Sequence, residues 1–274
     1  MNEELIEYSK RHHDPIIKSA HQIILQCLEL DKKIPDNYRW LFSSKESLDK
    51  QLKSITNISH KDINSIYWND QMSNIEAYYH MTLWRGVELI KSCINGLNSK
   101  ETIVPAIAAR SLLELSTVFL MNANILSQTF SQVTFPNKTV VGSTEIENLV
   151  VKMIWGTRYD NPEPHLKQTN VITYLDKLAK ISESKQLKPI YEFLCDIAHP
   201  SFIGNTSYWS HLESVTLDGR ENRVISRLNS RNFNTDILDK TIWSLAWSAE
   251  CIKNSFEILI QANLLLSEKL HDSR

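Results

Sequence analysis

The chain has 274 residues, 42% of them hydrophobic, and a formal net charge of −2. That content is enough for a buried core and excludes wholesale disorder. The charge balance excludes a global basic field for nucleic acid or membrane and leaves only local patches. Six glycines and eight prolines, among long apolar periodicities, predict a mainly α protein. The expected form is a multi-helix up-and-down bundle in one domain, 1–274. Its core runs from about 60 to 200 with a C-terminal helix over 235–270, and a small β-hairpin decorates it near 211–228.

The N-terminal segment MNEELIEYSKRHHDP is polar and has no apolar h-region, so a cytoplasmic protein is expected. Asp14 and Pro15 read as an N-cap and a first helical residue. Ile16, Ile17, Ala20, Ile23, Ile24, Cys27 and Leu28 follow at helical spacing, ending before Pro35. Ser43 and Glu46 have the spacing of a capping box for a polar surface helix. A long helix is predicted over 63–97, with Tyr79, Leu83, Val87, Ile90, Ile94 and Leu97 as its core stripe. A second runs over 102–126, with Pro105 in its first turn. The short loop between them predicts an antiparallel pair.

The span from 127 to 168 reads as irregular, apart from a helix over 143–155 that stops at Gly156. Helices are then predicted over 171–181, capped by Asn170, and from Pro189 to His199. HLESVTLDGRENRVISRL alternates about Asp218-Gly219 and gives the hairpin signal. The last helix carries Ile242, Leu245, Ala246, Ala249, Ile252, Phe256, Leu259 and Ile260 at helical spacing.

The apolar run IVPAIAARSLLELSTVFLM contains Arg110, Glu114 and Pro105, which suits a buried helix better than a membrane span. The four cysteines form no C-x-x-C pair and read as small buried hydrophobes. There is no Walker A loop, G-x-G-x-x-G, G-x-S-x-G or H-E-x-x-H. Nucleotide hydrolysis, dinucleotide, esterase and metalloprotease chemistry are disfavoured. No cofactor and no metal are expected.

Three stretches carry candidate chemistry. Arg110, Glu114 and Thr117 lie on one stripe of an otherwise apolar helix. Charge there must be paired, line a cleft or face solvent. The stripe is either a structural ion-pair network or a polar pocket floor with Arg110 available to an anion. His80, Trp84 and Glu88 share a face at four-residue spacing, with Arg85 in reach of Glu88. That is a weak metal pattern and more readily a surface pairing. In YEFLCDIAHPSFIGN, Tyr191, Cys195 and His199 share a face. Pro200 pushes His199 out of the α region, to the helix C-terminus, where the helix dipole favours imidazolium. His199 is therefore a general acid/base or simply a cap. Arg158, just past the helix ending at Gly156, caps that end or guards a cleft. Arg223 and Arg227 have same-side spacing on a strand and form a solvated face or a phosphate-contacting one.

The stretches AARSLLE, WGTR and YEFLCDIAHPS, over roughly 75–205, resemble a group of bacterial helical proteins with Arg-x-x-x-Glu and Tyr-x-x-Leu-x-x-x-x-His-Pro motifs. That group resembles the HEPN superfamily of toxin–antitoxin and phage-defence systems. The resemblance implies a metal-independent ribonuclease, with RNA as partner and a site formed at a homodimer or partner-protein interface, away from membranes. It carries the family histidine to His199. It does not carry the family arginine, because Phe193, Leu194 and Cys195 stand where that residue falls. Arg110 or Arg158 would then supply the positive charge, with Glu114 orienting it and Tyr191 lending a hydrogen bond. The alternative is a non-enzymatic interaction module in which the same cluster is structural.

Overall fold

Asn2 opens the chain's first helix, α1 (Glu3–Arg11), by accepting the Leu5 N–H at 3.0 Å. Acidic Glu3 and Glu4 at its start and basic Lys10 and Arg11 at its end complement the helix dipole. Only Leu5 and Ser9 are buried, which is why apolar periodicity gave no signal for it. The structure, a computed structural model, describes residues 1–40, 44–157, 159, 161–164, 166–201, 205, 209–227 and 235–272. The side chains of Lys45 and of most of the paired strands are outside that description.

Among the described residues the protein is mainly helical. After α1 come α2 (Pro15–Asp31), α3 (Lys45–Ser54), α4 (His60–Asn98), α5 (Ile103–Gln132), α6 (Thr144–Trp155), α7 (Val171–Ile181) and α8 (Leu187–Ala198). Strands β1 (Trp209–Leu217) and β2 (Arg220–Arg227) follow, and then α9 (Thr235–Asp272). The strands pair antiparallel, Leu217 opposite Arg220, with an irregularity between Trp209 and Leu212. Asp218 and Gly219 between them have φ of 51° and 74°, the two positive angles of a type I′ turn.

The chain divides into two compact units. The first comprises Met1–Asp31, Arg85–Val118 and Val171–Ile252, and the second Lys32–Trp84, Phe119–Asn170 and Lys253–Arg274.

In the first unit, the Asp14 carboxylate accepts from the Ile16 and Ile17 amides at 2.9 and 3.3 Å, and Pro15 occupies the first helical position. The helix predicted over 63–97 extends by three residues at its start and one at its end. The α4 helix runs to Asn98 and closes through Glu101 N–H to Gly96 O (2.9 Å) and Lys100 N–H to Leu97 O (3.0 Å). Lys100 takes the left-handed position, φ 59°, so this is a Schellman end without glycine. Gly96 serves another purpose: a Cβ there would sit 2.6 Å from Pro105 Cγ. Its missing side chain lets α4 and α5 approach where the connection is shortest.

The second unit shows what organises the stretch read as irregular. The α5 helix continues to Gln132, beyond the expected end at 126. The Lys269 ammonium donates to the carbonyls of Phe130, Ser131 and Val133 at 3.2, 2.7 and 2.9 Å. A cation on the last carbonyls of a helix satisfies orphan acceptors and complements the dipole. The chain then runs along α4. Asn64 donates to Thr139 O (2.9 Å) and accepts from Val141 N–H (2.7 Å), and Trp68 Nε1 donates to Val141 O at 3.0 Å. Ser143 N–H donates to the Tyr67 hydroxyl at 3.1 Å, and Ser143 Oγ caps α6. Trp68 is fully buried, edge-on to Tyr67, Phe130 and Phe135. Asn64, Tyr67 and Trp68 thus supply the hydrogen bonds that a strand partner would otherwise give this extended segment. The α3 helix is capped one residue later than expected, by Ser44 accepting from Ser47 N–H. Ser43 lies outside the described residues.

His80 is not a surface residue. It is 7% exposed, its ring centroid 4.6 Å from those of Tyr38 and Tyr79 and stacked on Trp84 at 6.0 Å. Exposed Arg85 and Glu88 form no ion pair with each other. Burial pushes the His80 imidazole below its ordinary 6.5, against the opposing pull of Glu76. The folded state therefore favours neutral imidazole. The unfolded chain binds more protons between the lowered value and 6.5. The His80 contribution to stability is complete above that ordinary value and is lost as pH falls through the folded one. Urea midpoints measured from pH 8 to 5 should fall on acidification, and His80→Phe should flatten the fall. Parallel curves for the two proteins would refute it.

Candidate functional site

The first unit brings together three of the predicted side chains, Arg110, Glu114 and Tyr191, with Cys195 as a fourth member. About half of the segment 103–118 of α5 is buried, with Ala106, Ala109, Leu112 and Leu113 fully so, while Val104 and Ile107 are exposed. Arg110 and Glu114, one turn apart, sit on its remaining edge at 25% and 31% side-chain exposure, joined Nη2 to Oε1 at 3.0 Å. The α8 helix buries Leu187, Ile190, Leu194 and Ile197, and that apolar face fixes where its polar residues go. The Tyr191 hydroxyl donates to Glu114 Oε1 at 2.8 Å. Arg110 Nε donates to Cys195 Sγ at 3.1 Å, and the guanidinium carbon lies 5.9 Å from the Tyr191 ring centre.

Each contact biases a charge state. Burial alone would lower Arg110, but the Cys195 bond and the Glu114 carboxylate outweigh it and hold the guanidinium above its ordinary value. Burial pushes the Tyr191 hydroxyl up, reinforced by its bonds to Glu114 and Cys195. Tyr191 is therefore a fixed donor at neutral pH, and Arg110 a fixed cation.

His199 is the C-cap of α8. Its backbone is extended (φ −96°, ψ 156°), as a residue before proline requires, and its N–H donates to Cys195 O at 3.1 Å. It stands one helical turn, about 6 Å of rise, beyond the cysteine that Arg110 holds. The side chain is exposed and makes no hydrogen bond or ion pair among the described residues.

Other predicted members do not join. Thr117 is fully buried, its hydroxyl without a hydrogen-bond partner among the described residues. Arg158 lies outside the described residues. Arg223 and Arg227 stand opposite Ser214 and Trp209 in the ribbon, and their side chains lie outside the description. Cys195 is the member that sequence reasoning left out of the site, though its four-residue spacing from Tyr191 and His199 was the signal. The other three cysteines are buried. Cys93 and Cys251 are pushed up to about 12 by burial, so they are inert thiols.

A second polar cluster in this unit had no signal beyond the Tyr8/His12 spacing. The Tyr8 hydroxyl donates to Asp239 Oδ1, and His12 Nε2 lies 3.3 Å from Asp239 Oδ2. His12 Nδ1 accepts the Asp14 N–H at 3.0 Å. The imidazole thus spans α9 and the α2 cap with both nitrogens engaged.

Among the described residues no three His, Cys, Asp or Glu side chains form a metal-binding group. The α5 helix is long and apolar enough to cross a membrane by composition, with half of its most apolar stretch buried in the protein. Comparison with family models, curated proteins and solved structures finds no match for the chain.

Proposed function

We propose that the protein is a HEPN-like, metal-independent ribonuclease of the bacterial toxin or phage-defence type, acting through His199 and Arg110. The reading is supported by an anchored cation and by an unengaged imidazole one turn beyond the cysteine that holds it. Arg110 is held by Glu114 and Cys195, yet has N–H groups left over from its five-donor fork. One turn along α8, His199 is exposed at a helix C-terminus.

In the proposed step, neutral His199 takes the proton of a ribose 2′-hydroxyl. The 2′ oxygen attacks the adjacent phosphorus, and the bond to the 5′ oxygen breaks. The imidazolium returns its proton to that leaving oxygen. The product ends are a 2′,3′-cyclic phosphate and a 5′-hydroxyl. Arg110 stabilises the charge gathering on the phosphate oxygens, while Glu114 and Tyr191 fix its orientation. Incubation of the purified protein with a mixed RNA pool in EDTA should shorten the RNA. Intact RNA under those conditions counts against the reading.

One observation favours a second reading. Arg110, Glu114, Tyr191 and Cys195 already satisfy one another, as a structural cluster in a non-enzymatic interaction module would. In that case Arg110 substitutions lower the melting temperature, and RNA is untouched by every form of the protein.

A further inference from the structure

We propose that the second unit carries a separate small-molecule site, a cleft between α4 and the C-terminal part of α9 that binds a zwitterion with an apolar body. The cleft has a volume of about 520 Å³, within the range that encloses small organic ligands. Two opposite charges line it, Glu76 from α4 and Arg39 from the segment before α3. They form no ion pair with each other or with any other described residue. Opposite charges that line one cleft without pairing complement a ligand carrying both signs.

The groups around Glu76 favour an ammonium there. Glu76 Oε2 accepts the Tyr38 hydroxyl at 2.8 Å, which fixes the carboxylate, and the rings of Tyr38 and Tyr79 also line the cleft. A carboxylate flanked by aromatic rings recognises a cationic amine by charge and by cation–π attraction. The Tyr79 side chain is 8% exposed, wedged edge-on to Phe256, and its hydroxyl has no hydrogen-bond partner among the described residues. Met72, Ile260 and Leu264 make the apolar part of the wall. Leu264 is 52% exposed although it stands in a helix whose other apolar residues are largely buried. Ile260 likewise escapes full burial, unlike the stripe that precedes it. An ammonium, a carboxylate and an apolar side chain together describe an apolar α-amino acid.

The test is calorimetric titration of the full-length protein with L-leucine and L-phenylalanine, beside N-acetyl-L-leucine and L-leucinamide. At least one of the two amino acids should bind saturably, and loss of the amine or of the carboxylate should weaken binding at least ten-fold. Glu76→Gln keeps an acceptor for Tyr38 and should also cost ten-fold or more. Arg39 is exposed, so Arg39→Gln should do the same without moving the melting temperature. Absence of saturable binding up to about 10 mM, at the weak end of specific affinity, would overturn the proposal. So would binding that is indifferent to the blocked analogues or to both substitutions.

Discussion

His199→Ala is expected to reduce RNA cleavage by about 10²–10⁴-fold, the usual contribution of a positioned acid/base, while leaving the melting temperature within about 1–2 °C of the parent. The two halves of that expectation have separate physical grounds. His199 is exposed and its side chain touches no hydrogen-bonding partner among the described residues. Its hydrogen bonds, N–H to Cys195 O and carbonyl from Ser201 N–H, belong to the backbone and survive the substitution. Surface changes of this kind move stability by less than about 0.5 kcal/mol. Activity measured beside a thermal melt checks both halves. A folded variant that retains full cleavage would remove His199 from the chemistry, and a variant that unfolds would make it a structural cap.

Trp68→Ala should produce the largest loss of stability, about 3–5 kcal/mol. The indole is fully buried, edge-on to three aromatic rings, and its Nε1–H donates to Val141 O. Removing it leaves a cavity and orphans a backbone carbonyl in a segment that has few other anchors. Asn64 and Tyr67 hold the same segment by hydrogen bonds alone. Denaturant unfolding of the two proteins gives the difference directly, and a loss under about 1 kcal/mol would contradict the anchoring role. Trp68→Phe retains most of the ring contact and should cost markedly less.

The sequence announced the long helices because their burial is one-sided and periodic. Leu83, Val87, Ile90 and Leu97, and then Ile242 through Leu259, are the residues that the core takes. It hid α1, whose stability rests on a cap, charge placement and two buried side chains. The extended stretch after α5 was hidden too, because it is organised by partners some 75 positions away, such as Asn64 with Thr139. The site divides in the same way. Helical spacing revealed Arg110 with Glu114, and Tyr191 with His199, because each pair is local. That Glu114 and Tyr191 meet, and that Arg110 reaches Cys195, depends on how α5 and α8 pack. His80 was misjudged for a related reason: a polar residue next to Tyr79 and Trp84 reads as surface until Tyr38 is folded over it.

The ribonuclease reading stands or falls on the chemistry of the broken ends. A 5′-labelled RNA incubated with the purified protein in EDTA, its fragments resolved and their termini mapped, reports that chemistry directly. The proposed acid/base role of His199 with Arg110 predicts 2′,3′-cyclic phosphates and 5′-hydroxyls, lost in His199→Ala. Fragments ending in 3′-hydroxyls, or RNA left whole by a correctly folded protein, would contradict it.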